Sequence, residues 1–297
     1  MEHKNEISAA FCLLARDCEN NLQRNIPYIE RYRGQFHHSI VIIIENDSRD
    51  GTKEIIKRWE QKSDGVIAQC QNHPEWAGLD RVSRIARCRN EYMTILREQK
   101  ESYDYVIVID MDVELCDNDF MEVINNAPSD FSALFANGRY YLTFIKQRIH
   151  SFYYDLYAYV PYKSSTIELK RSELFNNGEV LEKKLRKKKY VPCDSAFGGL
   201  AIYKTAAVKE LSYSIFQNHR SSYYSVLCEH IPFNIECRKQ GSLYIVRNLD
   251  LFYEPLTWKN WVRGLLRRFL GNQRFNSFFK FYYIVIRKRK DYDTPKD

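Results

Sequence analysis

The chain has 297 residues, and hydrophobic residues make up 44% of them. This length and composition suit one large α/β domain or two small ones with a substantial core, without internal repeats or low-complexity segments. The formal net charge is +7, and the excess is concentrated in residues 183–189 and in the C-terminal tail. Basic clusters of this kind could bind nucleic acid, anionic lipid or a phosphorylated substrate.

The cysteines and the absence of a targeting signal indicate the cellular compartment in which we expect the protein. The eight cysteines are scattered, none forms a Cys-x-x-Cys pair, and several fall inside predicted strands or helices. We therefore expect reduced thiols rather than disulfides. The first residues are polar and do not form a signal peptide, and no apolar run reaches transmembrane length. We expect a cytoplasmic protein, and its last segment allows a peripheral position on the inner face of a membrane.

Apolar runs and amphipathic stretches alternate over the first 110 residues. The apolar runs, rich in β-branched residues, predict buried strands over 7–15, 39–44, 66–70 and 105–109. Amphipathic stretches predict helices over about 19–32, with a kink or interruption at Pro27, and over 53–61 and 80–97. Strands that alternate with helices predict an α/β fold with a mostly parallel central sheet flanked by helices.

The pattern changes after residue 112. We predict a short helix over 118–125 and a strand over 131–136. Residues 139–162 are rich in aromatic residues and should form strands and loops above a substrate cleft, and residues 164–190 should form a polar, basic and mobile loop. A strand over 196–203 and a helix that ends near 238 follow. The pair Gly198-Gly199 permits either a close backbone approach to a ligand or a bulge in an edge strand.

Two aspartates follow the strand at 105–109. Asp110 and Asp112 would lie at the carboxyl end of this strand, where open α/β sheets bind their ligands. Carboxylates one residue apart can share Mg²⁺ or Mn²⁺, which prefer oxygen ligands and often use one or two carboxylates plus substrate phosphates. The alternative is that Asp110 ends the strand and Asp112 begins a solvated turn.

An arginine lies on the apolar side of the predicted helix over 80–97. Arg89 shares this stripe with Val82 and Met93 at helical spacing. An unpaired buried charge is costly, so the guanidinium needs a partner. That partner is either a structural carboxylate or an anionic ligand such as a diphosphate, which the planar guanidinium binds well.

The last segment reads as a basic amphipathic helix. Apolar residues recur at helical spacing, and basic residues lie on or beside the other face: Trp258, Trp261, Val262, Leu265, Leu266 and Phe269 against Lys259, Arg263, Arg267 and Arg268. Such a helix suits an anionic membrane interface, or it packs on the protein core with a solvated basic face. We therefore divide the chain into a catalytic domain over 1–250 and a basic C-terminal segment over 251–297.

The motifs, taken in order, resemble those of the GT-A type of nucleotide-sugar glycosyltransferase. The motifs are Leu13-x-Ala15-Arg16-Asp17, the acidic turn over 45–52, the arginine-rich stretch over 84–90 and Asp110-x-Asp112. The pair Arg89-Asn90, with Phe197-Gly198-Gly199 and Glu229-His230, is most similar to the fungal capsule-associated α-1,3-mannosyltransferase group. The resemblance covers roughly residues 7–240 and implies a GT-A, Rossmann-like fold.

The resemblance implies roles for particular residues. It implies a donor site formed by Ala15, Arg16, Glu45, Asp47, Arg87, Arg89, Asn90 and Asp110. It implies that Asp112 binds Mn²⁺ or Mg²⁺, with Asp110 and His230 as further candidate ligands. Glu229 matches the acid that faces the acceptor, and Glu229 or Asp194 could deprotonate the acceptor hydroxyl if the enzyme inverts. A retaining enzyme needs no such base. The implied partners are a nucleotide-sugar donor and a glycan or lipid-linked acceptor.

Two other functions are compatible with parts of the sequence. The basic clusters and many aromatic residues also suit a lipid- or nucleic-acid-binding protein, but acidic strand ends would repel phosphates unless a metal intervened, so we expect no nucleic-acid partner. Paired carboxylates also occur in nucleotidyltransferases. Such an enzyme would normally carry a glycine-rich phosphate loop after the first strand, and residues 16–20 are not one.

Overall fold

The first half of the chain folds as its pattern predicts. The structure is a computed structural model, and it describes residues 6–144, 147–221 and 225–255. Its first elements are β1 (Ser8–Ala15), α1 (Glu19–Arg33), β2 (His38–Asn46), α2 (Thr52–Lys62), β3 (Val66–Gln71), α3 (Arg81–Glu98) and β4 (Tyr105–Asp110). The four strands pair in parallel in the order β3-β2-β1-β4. The predicted α/β class, with parallel strands flanked by helices, is confirmed.

The second half extends this sheet with antiparallel strands. Its elements are β5 (Glu114–Leu115), α4 (Phe120–Asn125), β6 (Phe131–Phe144), β7 (Gln147–Tyr153), β8 (Val160–Pro161), α5 (Arg171–Leu185), β9 (Tyr190–Ser195), β10 (Leu200–Lys204), α6 (Thr205–Val208), α7 (His230–Cys237) and β11 (Ser242–Pro255). The main order is β3-β2-β1-β4-β10-β6-β11-β9-β8. β10 lies antiparallel to β4, so the parallel half of the sheet ends at the strand that carries Asp110.

Strand β4 is buried on both faces because helices and loops cover both sides of the sheet. Val106 and Val108 belong to the hydrophobic cluster on one side, and Ile107 and Ile109 belong to the cluster on the other. All four side chains are at most 1% exposed. This arrangement explains the unbroken apolar run, and it places the first polar side chain, Asp110, at the carboxyl edge of the sheet.

One local prediction is wrong, and at Pro27 one of the two predicted alternatives is excluded. The polar stretch over 164–190 is not a loop throughout, because it contains helix α5, whose Leu174, Leu181 and Leu185 are buried at helical spacing. Its many charges obscure this narrow apolar stripe. Helix α1 also runs without interruption through Pro27. A proline inside a helix costs about 3 kcal/mol, and burial of Leu22, Ile29 and Tyr32 on this helix opposes that cost.

The compact unit described here comprises Met1–Glu254. The C-terminal amphipathic segment lies outside the described residues, so its prediction and the division at residue 250 remain predictions. Within the described part of the chain, no helix is long and apolar enough to cross a membrane. All eight cysteines are free thiols.

Candidate active site

Helix α1 holds the chain that leaves β4. The side-chain amide of Asn21 donates to the carbonyl oxygen of Asp112 at 2.9 Å, and that of Asn25 donates to Val113 at 2.6 Å. Asn25 also accepts a hydrogen bond from the backbone N–H of Leu115 at 3.3 Å and is fully buried. These bonds tie the backbone from Asp112 to Leu115 to helix α1, and they fix the loop that carries Asp112.

Arg89 joins helix α3 to two carboxylates from distant parts of the chain. Its Nη2 donates to both oxygens of Asp110, at 2.9 and 3.2 Å, and its Nε donates to Glu229 Oε1 at 3.0 Å. The guanidinium is 1% exposed and lies over the rings of Phe197 and Tyr213, at 5.1 and 5.7 Å from their centroids. The structure thus gives Arg89 the structural carboxylate partners that the apolar stripe requires.

Asp112 differs from Asp110 in having one carboxylate oxygen without a hydrogen bond among the described residues. Its Oδ1 atom is buried and has no hydrogen bond within the described residues. Burial, together with the charge of Asp110, raises the pKa of Asp112 to about 6. Burial also raises the pKa of Asp110, although the Arg89 guanidinium opposes this shift. A buried oxygen without a hydrogen bond is available for a cation.

His230 lies against the same cluster at the start of α7. It is 1% exposed, and its ring stacks on Phe197 at 3.9 Å. Neither ring nitrogen has a hydrogen bond in the described part of the chain, and Nε2 lies 3.7 Å from Glu229 Oε1. Burial and the Arg89 charge lower the pKa of His230 well below its ordinary value, so the ring is neutral at pH 7. A neutral imidazole is the form that ligates metals.

Two charged residues that sequence reasoning missed interact electrostatically with this cluster. Burial, with the charges of Glu229 and Asp110, raises the pKa of Asp155 to about 7. Burial lowers the pKa of Arg81, but Asp110 and Asp112 outweigh this effect and raise it. The available signals were weak, because Arg81 is an ordinary first residue of a helix. Asp155 is a lone acid in an aromatic stretch.

The ends of β1 and β2 form a second polar region. Ala15 is buried and Arg16 is exposed at the end of β1. Glu45 is fully buried and accepts a hydrogen bond from the backbone N–H of Ser48 at 2.7 Å. Asp47 has a left-handed backbone, with φ of 54°, and accepts the N–H of His73 at 2.9 Å. These predicted donor residues therefore share one sheet edge with Asp110.

Hydrogen bonds set the ionisation of Asp47. Burial alone would raise its pKa, but the bonds from the His73 backbone and the Asn46 side chain, with the charge of Arg16, lower it. Asp47 is therefore ionised at neutral pH and can accept hydrogen bonds from a ligand hydroxyl.

Other predicted site residues have different partners. Arg87 is exposed and lies over the ring of Trp76, 5.6 Å from its centroid. Asn90 exchanges two hydrogen bonds with the backbone of Tyr213, at 2.9 and 2.7 Å. Its amide therefore holds the segment before α7 in place.

Asp194, the alternative candidate base, is also bound by other groups of the protein. Its two oxygens accept backbone N–H bonds from Lys163 and Ser164, both at 3.0 Å. It also pairs with Arg238 at 2.6 Å and is 3% exposed. These contacts give Asp194 a structural role in holding the turn after β8.

The paired glycines permit a close approach between backbone segments. Gly198 and Gly199 have left-handed φ angles of 66° and 90°. A Cβ atom on Gly198 would overlap the carbonyl oxygen of Ala136 on β6. Gly199 in turn accepts the backbone N–H of Asp110 at 3.2 Å. The pair, just before β10, thus contacts β6 through Gly198 and the end of β4 through Gly199.

The cluster fits a divalent cation by its charge. Four carboxylates, those of Asp110, Asp112, Asp155 and Glu229, influence one another, and two arginines, Arg81 and Arg89, oppose them. Within the described ranges, no three His, Cys, Asp or Glu side chains form a group that could hold a metal. Two aspartates with phosphate oxygens as the remaining ligands are a donor set that Mg²⁺ accepts.

A protein-family comparison matches most of this region. The family model described as Cryptococcal mannosyltransferase 1 matches residues 31–233, which span β2 to α7 and include Asp110, Asp112 and Glu229. Among curated proteins, none matches the chain significantly.

Solved structures show distant similarity. The mannosyltransferase PcManGT from Pyrobaculum calidifontis, in complex with GDP-Man and Mn²⁺, is 13% identical with a TM-score of 0.47, over 89% of this chain and 62% of that one. TarS from S. aureus, in complex with UDP-GlcNAc, is 10% identical with a TM-score of 0.46, over 84% and 59%. The chain thus spans less than two thirds of either protein. Likeness at this level carries no argument about the site.

Proposed function

The chain belongs to the glycosyltransferase family described as Cryptococcal mannosyltransferase 1, and we propose that it is a metal-dependent glycosyltransferase. It moves a sugar, which we propose to be mannose, from a nucleotide-sugar donor to a glycan or lipid-linked acceptor. The observation that carries this proposal is the buried, unpartnered Asp112 oxygen within an acidic cluster at the carboxyl edge of the sheet. Ligands bind at this edge in open α/β sheets.

The cation of this proposal is Mn²⁺ or Mg²⁺. Asp112 would hold it, with Asp110 beside it and His230 as a further candidate ligand. When bound, the cation neutralises charge that develops on the diphosphate leaving group. Arg89 opposes the burial-driven rise in the pKa of Asp110 and fixes its carboxylate, because the guanidinium binds both carboxylate oxygens.

The donor occupies the sheet edge in this proposal. The ends of β1 and β2, with Asp47 ionised between them, hold the nucleoside, and the diphosphate lies toward Asp112. Arg89 acts on the donor through the carboxylates, since its guanidinium already donates to Asp110, Glu229 and Tyr92.

The acceptor lies toward Glu229. Arg89 binds Glu229 Oε1, whereas Oε2 lies 3.6 Å from the Cys228 sulfur, so Oε2 is the candidate proton acceptor if the reaction inverts. If the configuration is retained, Glu229 serves to hold Arg89 and the acceptor side of the site.

A donor screen tests this function directly. Binding and hydrolysis of UDP-, GDP- and CMP-sugars are measured with and without Mn²⁺, and we expect one nucleotide class to bind only with the cation. Asp112→Asn should abolish this dependence. Asp117→Asn is the matched control, because Asp117 makes an exposed ion pair with Arg31. Donor binding that ignores both Mn²⁺ and Asp112→Asn would refute the proposal.

A further inference from the structure

Three tyrosine rings from separate segments pack together. Tyr154 lies nearly parallel to Tyr253, with ring centroids 4.0 Å apart and 9° between the planes. Tyr140 meets both rings edge-on, at 5.8 and 5.7 Å. All three residues are half-buried, whereas the neighbouring core tyrosines Tyr153 and Tyr159 are at most 2% exposed. The three rings therefore form an aromatic cluster that reaches the surface.

Backbone contacts tie this cluster to the strand that carries Asp110. The N–H of Tyr154 donates to the carbonyl oxygen of Gly138 at 2.7 Å. Gly138 approaches Gly198 so closely that a Cβ atom at position 138 would overlap the carbonyl oxygen of Gly198. The next residue, Gly199, accepts the N–H of Asp110 at 3.2 Å. A short series of direct contacts thus fixes Tyr154 relative to Asp110.

Electrostatic effects place the same residues beside the acidic cluster. Burial, followed by the charges of Asp155, Asp112 and Asp110, raises the pKa of the Tyr154 hydroxyl. The charge of Glu229 acts in turn on Asp155. Charges shift a pKa in this way when the groups lie close together in a poorly solvated region. The charges of Asp155, Asp112 and Asp110 thus act on the Tyr154 hydroxyl, and those of Glu229 and Asp110 act on the Asp155 carboxylate.

Asp155 adopts a backbone conformation that the surrounding turn maintains. Its φ angle is 69°, in the left-handed region, and its carbonyl oxygen accepts the N–H of Ala158 at 3.2 Å. A non-glycine residue in this region costs on the order of 1 kcal/mol and persists where neighbouring structure enforces it, often at ligand sites. Here the turn fixes the backbone of Asp155, the residue that follows Tyr154, and the charge of Glu229 acts on its carboxylate.

A pyranose matches this combination of groups. Its ring carries apolar C–H faces, which pack against aromatic side chains, and a rim of hydroxyl groups, which donate to carboxylates. We propose that Tyr154, Tyr253 and Asp155 form the subsite for the acceptor sugar. This inference rests on the proposed glycosyltransferase function, and it names the residues that would bind the acceptor. Asp155 accepts a hydrogen bond from a sugar hydroxyl, and the tyrosine rings pack against the pyranose.

Saturation-transfer NMR with simple sugars tests the subsite without requiring turnover. The probes are methyl α-D-mannopyranoside, methyl β-D-glucopyranoside and methyl β-D-galactopyranoside, measured on the full chain with Mg²⁺, with and without UDP or GDP. We expect at least one probe to bind the wild-type protein. Asp155→Asn and Tyr253→Leu should weaken that binding at least about tenfold. Nucleotide affinity, measured by calorimetry, should stay within about twofold.

Matched substitutions elsewhere provide the controls. Asp117→Asn and Tyr244→Leu make the same chemical changes at an exposed aspartate and at a tyrosine that packs edge-on against Tyr190, and both should leave sugar binding unchanged. If Tyr253→Leu does not fold, Asp155→Asn and the milder Tyr154→Phe decide the question.

Two outcomes overturn the inference. Either no probe binds a wild-type protein that binds nucleotide, or Asp155→Asn and Tyr154→Phe bind the probe as the wild type does. Failure of the wild-type protein to bind any nucleotide sugar with Mn²⁺ would instead refute the proposed function, because sugar binding is measured separately.

Discussion

At the residue scale, Arg89 shows how a buried charge organises the site. Its guanidinium joins α3 to Asp110 on β4 and to Glu229 before α7. A buried charge without a partner of opposite sign is strongly unfavourable, so removal of any one of these three side chains would destabilise the other two. The sequence predicted the burial of Arg89 from the apolar stripe. It could not choose between a carboxylate and a diphosphate, since Glu229 is 140 residues away.

Arg89→Lys should destabilise the fold by roughly 3 kcal/mol, because one ammonium group cannot bind Asp110 and Glu229 as the guanidinium does. Urea unfolding measures this loss. Donor affinity should fall as well, at least about tenfold, through the disturbed Asp110. Arg87→Lys makes the same change at an exposed position of α3 and should leave stability unchanged. Lost donor binding with wild-type stability would show that the guanidinium contacts the donor directly.

Asp112 should make the metal-free protein sensitive to pH. Because the folded-state pKa is raised from 3.8 to about 6, the fold favours the protonated carboxyl group. The associated stability is present below pH 3.8 and is lost as the pH rises through about 6. Relative to Asp112→Asn, the wild type should therefore lose up to roughly 3 kcal/mol between these values. Other titrating groups, His230 among them, are common to both proteins.

Urea unfolding of both proteins from pH 4 to 7.5 in the presence of a chelator measures this difference. Mn²⁺ should reverse it for the wild type at pH 7.5, because the cation binds the ionised carboxylate. Asp117→Asn should differ from the wild type by the same amount at every pH. A pH-independent difference between wild type and Asp112→Asn would show that Asp112 titrates normally.

At the scale of elements, α1 determines the shape of the loop after β4. Asn25→Leu keeps the volume of this buried side chain but removes its hydrogen bonds to the backbone of Val113 and Leu115. We expect a loss of about 2 to 4 kcal/mol in unfolding free energy, and Mn²⁺ affinity lowered about tenfold because Asp112 is no longer held. Thermal unfolding and calorimetry measure the two effects.

Asn20→Leu is the control for this prediction, since Asn20 is exposed on the same helix. It should change neither quantity. If Asn25→Leu destabilises the protein but leaves Mn²⁺ affinity intact, α1 supports the fold without positioning the metal site.

The elements that the sequence predicts well are those whose pattern of apolar residues lies within the element itself. β1 to β4 are apolar runs, and each was placed within about two residues. β6 is longer than predicted because polar residues continue it: buried Asn137 donates to the carbonyl oxygen of Arg247, and buried Arg139 pairs with Glu182. These partners are distant in sequence, so the predicted strand ends at residue 136, and a mixture of strands and loops is predicted from residue 139.

At the scale of the whole described unit, the two halves of the sheet contribute different parts of the site. The parallel half supplies Asp110 and Asp112, which a local motif reveals. The second half supplies Glu229 and Asp155, and Asp155 reaches the cluster through a turn between antiparallel strands. That placement depends on contacts such as Gly138 against Gly198, which no sequence periodicity encodes. The acceptor side is therefore the part that sequence predicted least.

A lipid-linked acceptor would make membrane attachment useful, and the C-terminal segment carries the required pattern. Its residues lie outside the described part of the chain, so this remains a prediction from sequence. Trp258, Trp261, Leu265 and Phe269 would enter the interface, and Arg263, Arg267 and Arg268 would meet anionic headgroups. Each basic residue near such a surface contributes about 1 kcal/mol.

Co-sedimentation with vesicles of phosphatidylserine and phosphatidylcholine tests this attachment. The triple variant Arg263→Gln, Arg267→Gln and Arg268→Gln should lose most binding at low salt, because about 3 kcal/mol of attraction is removed. The matched control neutralises three exposed cations after α5, with Arg186→Gln, Lys187→Gln and Lys188→Gln, and should bind nearly as the wild type does. Equal loss in both variants would indicate a general charge effect. Truncation before Pro255 should also abolish binding, and if it unfolds the protein instead, the segment belongs to the core.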